Sequence, residues 1–144
     1  MSFTIRDAVM ADAPALTRLS REELGYDYPE EELLANLKDV LADPRNKVLV
    51  AENDGEVVGY LHLADYRLLY MPGLKRILGI AVASSHHREG IGSALLNAGE
   101  AWAKEDGAAG IALTSGETRT GAHAFYRSLG YEGVKMQLNL RKMF

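Results

Sequence analysis

Hydrophobic and polar positions change their spacing several times along the chain, and each change marks an element. Phe3 to Arg6 alternates apolar with polar residues and predicts a short first strand. Asp12 precedes a pattern with Ala15, Leu16 and Leu19 on one side, and Pro14 falls in a first turn, where a helix tolerates it. Gly25-Tyr26-Asp27-Tyr28-Pro29 stops that helix as a loop. Glu30 to Leu41 begins a second helix, with Leu33, Leu34, Leu37, Val40 and Leu41 in a stripe of 3.6-residue period. Asp43-Pro44-Arg45-Asn46 ends it.

From Lys47 the period becomes two. Val48 to Ala51 and Glu56 to Leu63 flank Asn53-Asp54-Gly55, and Asp-Gly readily supplies the positive φ angles of a tight hairpin. Met71-Pro72-Gly73 breaks the chain before a fourth strand, Ile77 to Val82. The next helix runs from about Gly90 to Glu105, with Ile91, Leu95, Ala98 and Trp102 on one face and Gly107 closing it. Ile111 to Thr114 predicts a strand, Thr120 to Leu129 a helix, and Glu132 to Leu140 a final strand before a basic tail. The order β-α-α-β-β-β-α-β-α-β is that of a mixed α/β fold. No repeat or linker interrupts it, so one domain over residues 1–144 is expected.

Composition narrows the function more than the fold. The 144 residues are 47% hydrophobic and 25% charged, as in an ordinary globular protein. Cysteine is absent, which removes disulfides, thiolate metal sites and cysteine nucleophiles together. A net charge of −4 argues against a nucleic-acid partner, because phosphate contacts would ask for a basic excess. Met1-Ser2-Phe3-Thr4-Ile5-Arg6-Asp7 lacks the apolar core of a secretory signal, and the run from Ile77 to Ala83 is far shorter than the ~20 residues that cross a bilayer. A soluble, cytoplasmic protein with no membrane partner is the expectation.

The chemistry concentrates in Ile80-Ala81-Val82-Ala83-Ser84-Ser85-His86-His87-Arg88-Glu89-Gly90-Ile91-Gly92-Ser93-Ala94-Leu95. A strand runs into a turn, the turn into two glycines one residue apart, and the glycines into an amphipathic helix. Residues without side chains let a diphosphate approach the backbone, and the first N–H groups of a helix have no internal partner and point at the anion. Gly90-x-Gly92 alone would equally suit a tight turn that packs a helix on a sheet. A P-loop fails, since no Lys-Ser or Lys-Thr follows the second glycine. A Rossmann fingerprint fits poorly, since Ser93-Ala94-Leu95 gives no third glycine or alanine in place; Glu117 is the one feature in its favour.

His87-x-x-Gly90-x-Gly92 before an amphipathic helix resembles the acetyl-CoA signature of the GNAT N-acetyltransferases, Arg/Gln-x-x-Gly-x-Gly/Ala. Ala122-His123-Ala124-Phe125-Tyr126-Arg127-Ser128-Leu129-Gly130-Tyr131 is similar to that family's closing segment, and Ile5-Arg6-x-Ala8 with Asp12 and Leu16 to its opening. The likeness spans nearly the whole chain in order. It implies the GNAT fold, a central, mostly antiparallel sheet flanked by four helices and splayed between its fourth and fifth strands. It also implies acetyl-CoA as cosubstrate and no metal. The pantetheine arm would bond the backbone at Ala81 and Val82, and the diphosphate would lie on His87, Arg88, Glu89, Gly90, Ile91, Gly92 and Ser93. Arg119, Ala122 and Phe125 would stand on the cofactor side of the second motif.

By the same resemblance the activity is N-acetyl transfer to a primary amine of a small molecule or peptide by direct attack. The Val82 amide would hold the oxyanion, and Tyr126 would return a proton to the departing thiolate. Phe125 and Tyr126 also read as core aromatics beside Leu129. Paired subunits are common in the family, which leaves a homodimer open.

Three positions depart from the pattern. His87 stands where Arg or Gln is usual, with Arg88 next to it as a source of charge. Arg119 replaces an asparagine, and as arginine could bind an acceptor carboxylate or a cofactor phosphate. Lys75-Arg76-Ile77-Leu78-Gly79-Ile80-Ala81-Val82 carries no glutamate to act as base. Glu22, Glu23, Asp27, His62 and Asp65 are the alternatives, and His62 has the most suitable reference pKa. Tyr26, Asp27, Tyr66 and Tyr70 fall in the regions that line the acceptor side, which suits an aromatic or cationic amine. His86 and His87, being adjacent, point apart and do not form a metal pair. The missing strand carboxylate keeps a second reading alive, a CoA-binding regulatory or sensor module without turnover. An NAD-dependent oxidoreductase is a distant third.

Overall fold

A computed structural model describes residues 2–144 of the chain, in two compact units that meet in sequence at Leu113 and Thr114. The first unit holds strands β1 (Thr4–Asp7), β2 (Asn46–Asn53), β3 (Glu56–Tyr66), β4 (Leu74–Val82) and β5 (Ile111–Ala112), and helices α1 (Ala13–Leu24), α2 (Glu30–Ala42) and α3 (Ile91–Glu105). The sheet order follows the chain, β1-β2-β3-β4-β5. Its first four strands are antiparallel and β5 alone runs parallel to its neighbour. The second unit holds α4 (Thr120–Ser128).

Period two splits the strands between two layers. Val48, Val50, Val57 and Ala81 pack with Ala13, Leu16 and Leu19 of α1 and Leu37 of α2. Leu61 and Leu63 point the other way, against α3. Gly99 permits that approach, since a Cβ there would come within 2.9 Å of Leu61. Both faces of the central strands are therefore covered, and Val50, Leu61 and Leu63 are fully buried.

Local chemistry sets the ends of the elements. Pro14 occupies the first turn of α1, which stops at Gly25 with φ of 78°. Three glutamates, Glu30 to Glu32, open α2, where carboxylates complement the helix dipole. Asp54 and Gly55 turn the β2–β3 hairpin with φ of 52° and 78°.

Two polar clusters join elements that apolar packing alone would leave free to slide. Arg6 of β1 bonds both carboxylate oxygens of the buried Asp12 and reaches Glu52 on β2. Those bonds hold the Asp12 carboxyl below its usual range. Lys75 of β4, 3% exposed, is bonded by Asp65 and Asp106 and lies over the Trp102 ring.

The element order departs from expectation at the C-terminal end. β5 has two residues rather than the four from Ile111 to Thr114, and pairs with β4 only at Lys75–Ile111 and Arg76–Ala112. Residues 132–140, read as a final strand, form no strand. Alternation marks which side chains share a face, but a strand also needs a neighbouring backbone for its N–H and C=O groups. Elsewhere the strands outrun the sequence pattern. β4 begins at Leu74 rather than Ile77 because Lys75 and Arg76, polar by type, are paired on both edges.

Candidate active site

β4 carries the first part of the site. Among the described residues no strand pairs with its outer edge beyond Arg76, so the backbone of Ile77 to Val82 has no strand partner on that side. A register shift opposite His62 and Leu63 leaves Leu78 unmatched and 55% exposed. Val82 leads into a 3-10 turn, Ser84–His86. Next come two left-handed residues, Arg88 with φ of 67° and Gly90 with φ of 82°. Arg88 at such an angle stores strain that Gly90 does not. A Cβ on Gly90 would have no atom within 4 Å, so the angle rather than crowding selects glycine.

α3 starts immediately after. No side chain caps it, and its first internal donor is the Ala94 N–H, bonded to the Gly90 carbonyl. The N–H groups of Ile91, Gly92 and Ser93 thus precede the ladder, with the positive end of a 15-residue helix behind them. Left-handed turns that line up successive N–H groups ahead of a helix form an anion-binding concavity.

The turn has fixed side-chain supports. Glu23, near the end of α1, accepts bonds from the Ser84 backbone N–H at 3.0 Å and its hydroxyl at 2.8 Å. His86 pairs with Glu89 at 3.2 Å, and the His87 ring lies 3.0 Å from the Val82 carbonyl through Nε2. His87 therefore holds the end of β4, while the exposed Arg88 side chain is the cation next to the concavity.

Tyr60 and His62 project from the side of β3 that faces α1. The Tyr60 hydroxyl lies 2.8 Å from the Ser20 hydroxyl, and a Cβ on Gly79 of β4 would be 3.8 Å from it. Burial raises the Tyr60 pKa, with Tyr26 adding to the rise. His62 stands opposite Gly79, bonded through Nε2 to Asn46 at 2.9 Å, and burial lowers its pKa. Its ring stays neutral near pH 7.

The predicted acceptor residues separate into two groups. Tyr26, itself 66% exposed, joins Tyr60 and Ser20. Tyr66 lies under the Arg76 guanidinium, 5.2 Å from the ring centre, and Tyr70 is 83% exposed in the following loop. Asp27 is exposed beside Tyr26. Among the base candidates, Glu23 is engaged with the Ser84 turn and Asp65 with Lys75. Tyr60 and Ser20 were not singled out in the sequence, although Tyr60 precedes His62 by two positions and so shares its face.

In the second unit Arg119 precedes α4 at its N-terminal boundary. Ala122, Phe125, Tyr126 and Leu129 are half-buried at the spacing of one helix face. The Tyr126 ring packs on Phe125 with centroids 5.4 Å apart and edge-on to Tyr131 at 5.8 Å. Burial raises its pKa against the opposing charge of Arg119, so the hydroxyl keeps its proton at neutral pH. Among the described residues no three His, Asp or Glu side chains are grouped to hold a metal ion, and no helix is long and apolar enough to cross a membrane.

Comparison with known proteins gives a consistent set of likenesses. Residues 13–131 match the Acetyltransferase (GNAT) family. An aminoglycoside N(6')-acetyltransferase type 1 of Stenotrophomonas maltophilia is 34% identical over 146 residues, covering 96% of this chain and 92% of that one. An N-alpha-acetyltransferase of Sulfurisphaera tokodaii is 32% identical over 142 residues, covering 93% and 83%. The structure of AAC(6')-Iy with the bisubstrate analogue CoA-S-monomethyl-acetylneamine superposes with a TM-score of 0.87 over the full length of both chains, at 19% identity.

Proposed function

This chain belongs to the GNAT acetyltransferase family, and from that premise we propose that it acetylates a primary amine of a small cationic molecule, with acetyl-CoA as donor. The observation that carries the donor assignment is Gly90, left-handed ahead of an uncapped α3. The N–H groups of Ile91, Gly92 and Ser93 bind the diphosphate, with Arg88 adding charge, and the outer edge of β4 at Ala81 and Val82 pairs with the pantetheine amides. The family resemblance assigns Arg119, Ala122 and Phe125 of the second unit to the same cofactor.

The amine nitrogen attacks the thioester carbon, and the carbonyl oxygen takes up negative charge beside the Val82 N–H. Collapse expels the thiolate, which takes the proton of Tyr126, while the extra proton on the acetylated nitrogen leaves through water and restores the phenol, giving the neutral amide. A phenol whose pKa is raised by burial is a donor throughout the neutral range. The acceptor enters across Tyr26, Asp27 and Tyr60, a surface of aromatic rings and a carboxylate that suits a cation. Neutral His62 is the basic group on that face and takes the proton of the incoming ammonium directly or through water.

The named relatives of 34% and 32% identity favour turnover over a silent sensor, and one of them, by its name, acts on an aminoglycoside. Thiol release from acetyl-CoA, measured across aminoglycosides, polyamines and short peptides with free N-termini, tests the proposal. Turnover on the small cationic amines is expected. Turnover confined to peptides would replace the acceptor, and CoA binding without thiol release on any amine would return the chain to the sensor reading.

A further inference from the structure

β2 begins at Asn46, whose side chain reaches across to His62 on β3. Asn46 pairs with Ala64 and Val48 with His62, so Asn46 and His62 lie on a diagonal of one sheet face, a separation that polar side chains bridge. Oδ1 of Asn46 lies 2.9 Å from Nε2 of His62. An amide has an accepting oxygen at one end and a donating nitrogen at the other, and the end that meets the ring decides its tautomer.

Asp43 selects that end. Its carboxyl is held below the usual range by bonds from the Arg45 guanidinium and the Arg45 backbone N–H, and further by a bond from the Asn46 side chain. An ionised carboxylate only accepts, so Asn46 turns its nitrogen to Asp43 and its oxygen to His62. The backbone keeps these groups together. Asn46 N–H donates to the Asp43 carbonyl at 3.0 Å, and Asp65 N–H of β3 to the Arg45 carbonyl at 2.9 Å. Since Oδ1 can only accept, Nε2 carries the hydrogen and Nδ1 the lone pair.

We propose that Asn46 is a positioning residue for the transfer: held by Asp43, it fixes His62 as the Nε2–H tautomer and leaves Nδ1 as the atom that takes the acceptor's proton. That role rests on His62 acting as the base. The ammonium proton passes to Nδ1, and the amine nitrogen keeps the electron pair of that N–H bond for its attack. The imidazolium still donates Nε2–H to Asn46 and later yields its Nδ1 proton to water. Around the ring, Tyr60 shares its face on β3, Gly79 stands opposite on β4, and α1 and α2 lay Leu16, Leu19 and Leu37 on the cluster that holds Val48. The charges behind Asn46 are Asp43 and Arg45, paired with each other. A neutral amide therefore orients the ring without adding the negative charge that would protonate it.

Long-range proton–nitrogen NMR spectra of the full chain distinguish the two tautomers for each of its four histidines, and His62→Gln identifies the His62 signals. Above the reference pKa of ~6.5 the unaltered protein should show His62 protonated on Nε2 and bare on Nδ1. Asn46→Leu should give a mixture of tautomers and lower kcat roughly fivefold to thirtyfold, with KM for acetyl-CoA within about twofold. Asn46→Asp puts a charge where the amide oxygen stands and should move the acidic limb of the kcat/KM profile up by about one pH unit. A packing role alone would move neither the tautomer nor that limb. The Nδ1–H tautomer in the unaltered chain would overturn the proposal and leave His62 available as base, and the spectrum does not depend on whether a variant folds. An unmoved limb in a folded Asn46→Asp would also overturn it. A wild-type rate in His62→Gln would remove the base itself, and the role of Asn46 with it.

Discussion

Single side chains set the protonation states on which the chemistry rests. Tyr126 is half-buried between Phe125 and Tyr131, and that partial burial raises its pKa. Packing and proton donation are separable, because phenylalanine keeps the ring and removes only the proton. Tyr126→Phe should lower kcat about tenfold to a hundredfold while calorimetric CoA affinity stays within about twofold. His62 gives a pH signature of a different kind. Its folded pKa lies below the unfolded reference of ~6.5, so the unfolded chain binds more protons just under that value. Stability should therefore be complete above pH ~6.5 and decline as pH falls through the window down to the lowered pKa. His62→Gln should flatten that decline in urea titrations between about pH 5 and 7. The sequence named both residues, since an Ala-x-x-Phe-Tyr motif and an isolated strand histidine are visible without a fold. It held no sign that Glu23 is engaged with the Ser84 turn, because those groups are distant in the chain and meet only when α1 packs on the sheet.

At the scale of the element, the turn from β4 into α3 is the part most fully legible in advance. Glycine at 90 is asked for by φ, and φ is a local property. Gly90→Val should strain the turn and put a branched side chain where the diphosphate approaches. CoA affinity should fall roughly tenfold or more in calorimetry, with secondary structure by circular dichroism retained. Unchanged affinity would remove the concavity from the site. β5 shows the opposite case. Ile111 to Thr114 has an ordinary strand composition, yet only two of its residues pair with β4. How far two strands run together depends on the path of both, and no window of one sequence holds that information.

For the molecule as a whole, the junctions between layers carry polar groups that composition reads as surface. Lys75 would be assigned to solvent by type, but it is buried at the start of β4 with Asp65 of β3 and Asp106 after α3. Burial works against its charge, and the bonds to Asp106 and Asp65 outweigh it and raise its pKa. Lys75→Met would leave two carboxylates facing each other and should cost about 1–2 kcal/mol in urea unfolding at pH 7. That is less than a wholly buried pair because Asp106 is half exposed. Helices and hairpins were set by the sequence alone, through the periods of Leu33 to Leu41 and Val48 to Leu63, the stops at Gly25 and Gly107, and the turn at Asp54-Gly55. These rest on contacts between residues a few positions apart. Only the tertiary structure decided the outer edge of β4, the facing of Tyr60 and Ser20, the burial of Lys75 and the loss of a strand at Glu132 to Leu140. Each of those is settled by a partner far away in the chain, or in the last case by the lack of one within its own unit, and backbone hydrogen bonds and buried charges are satisfied only when that partner is present.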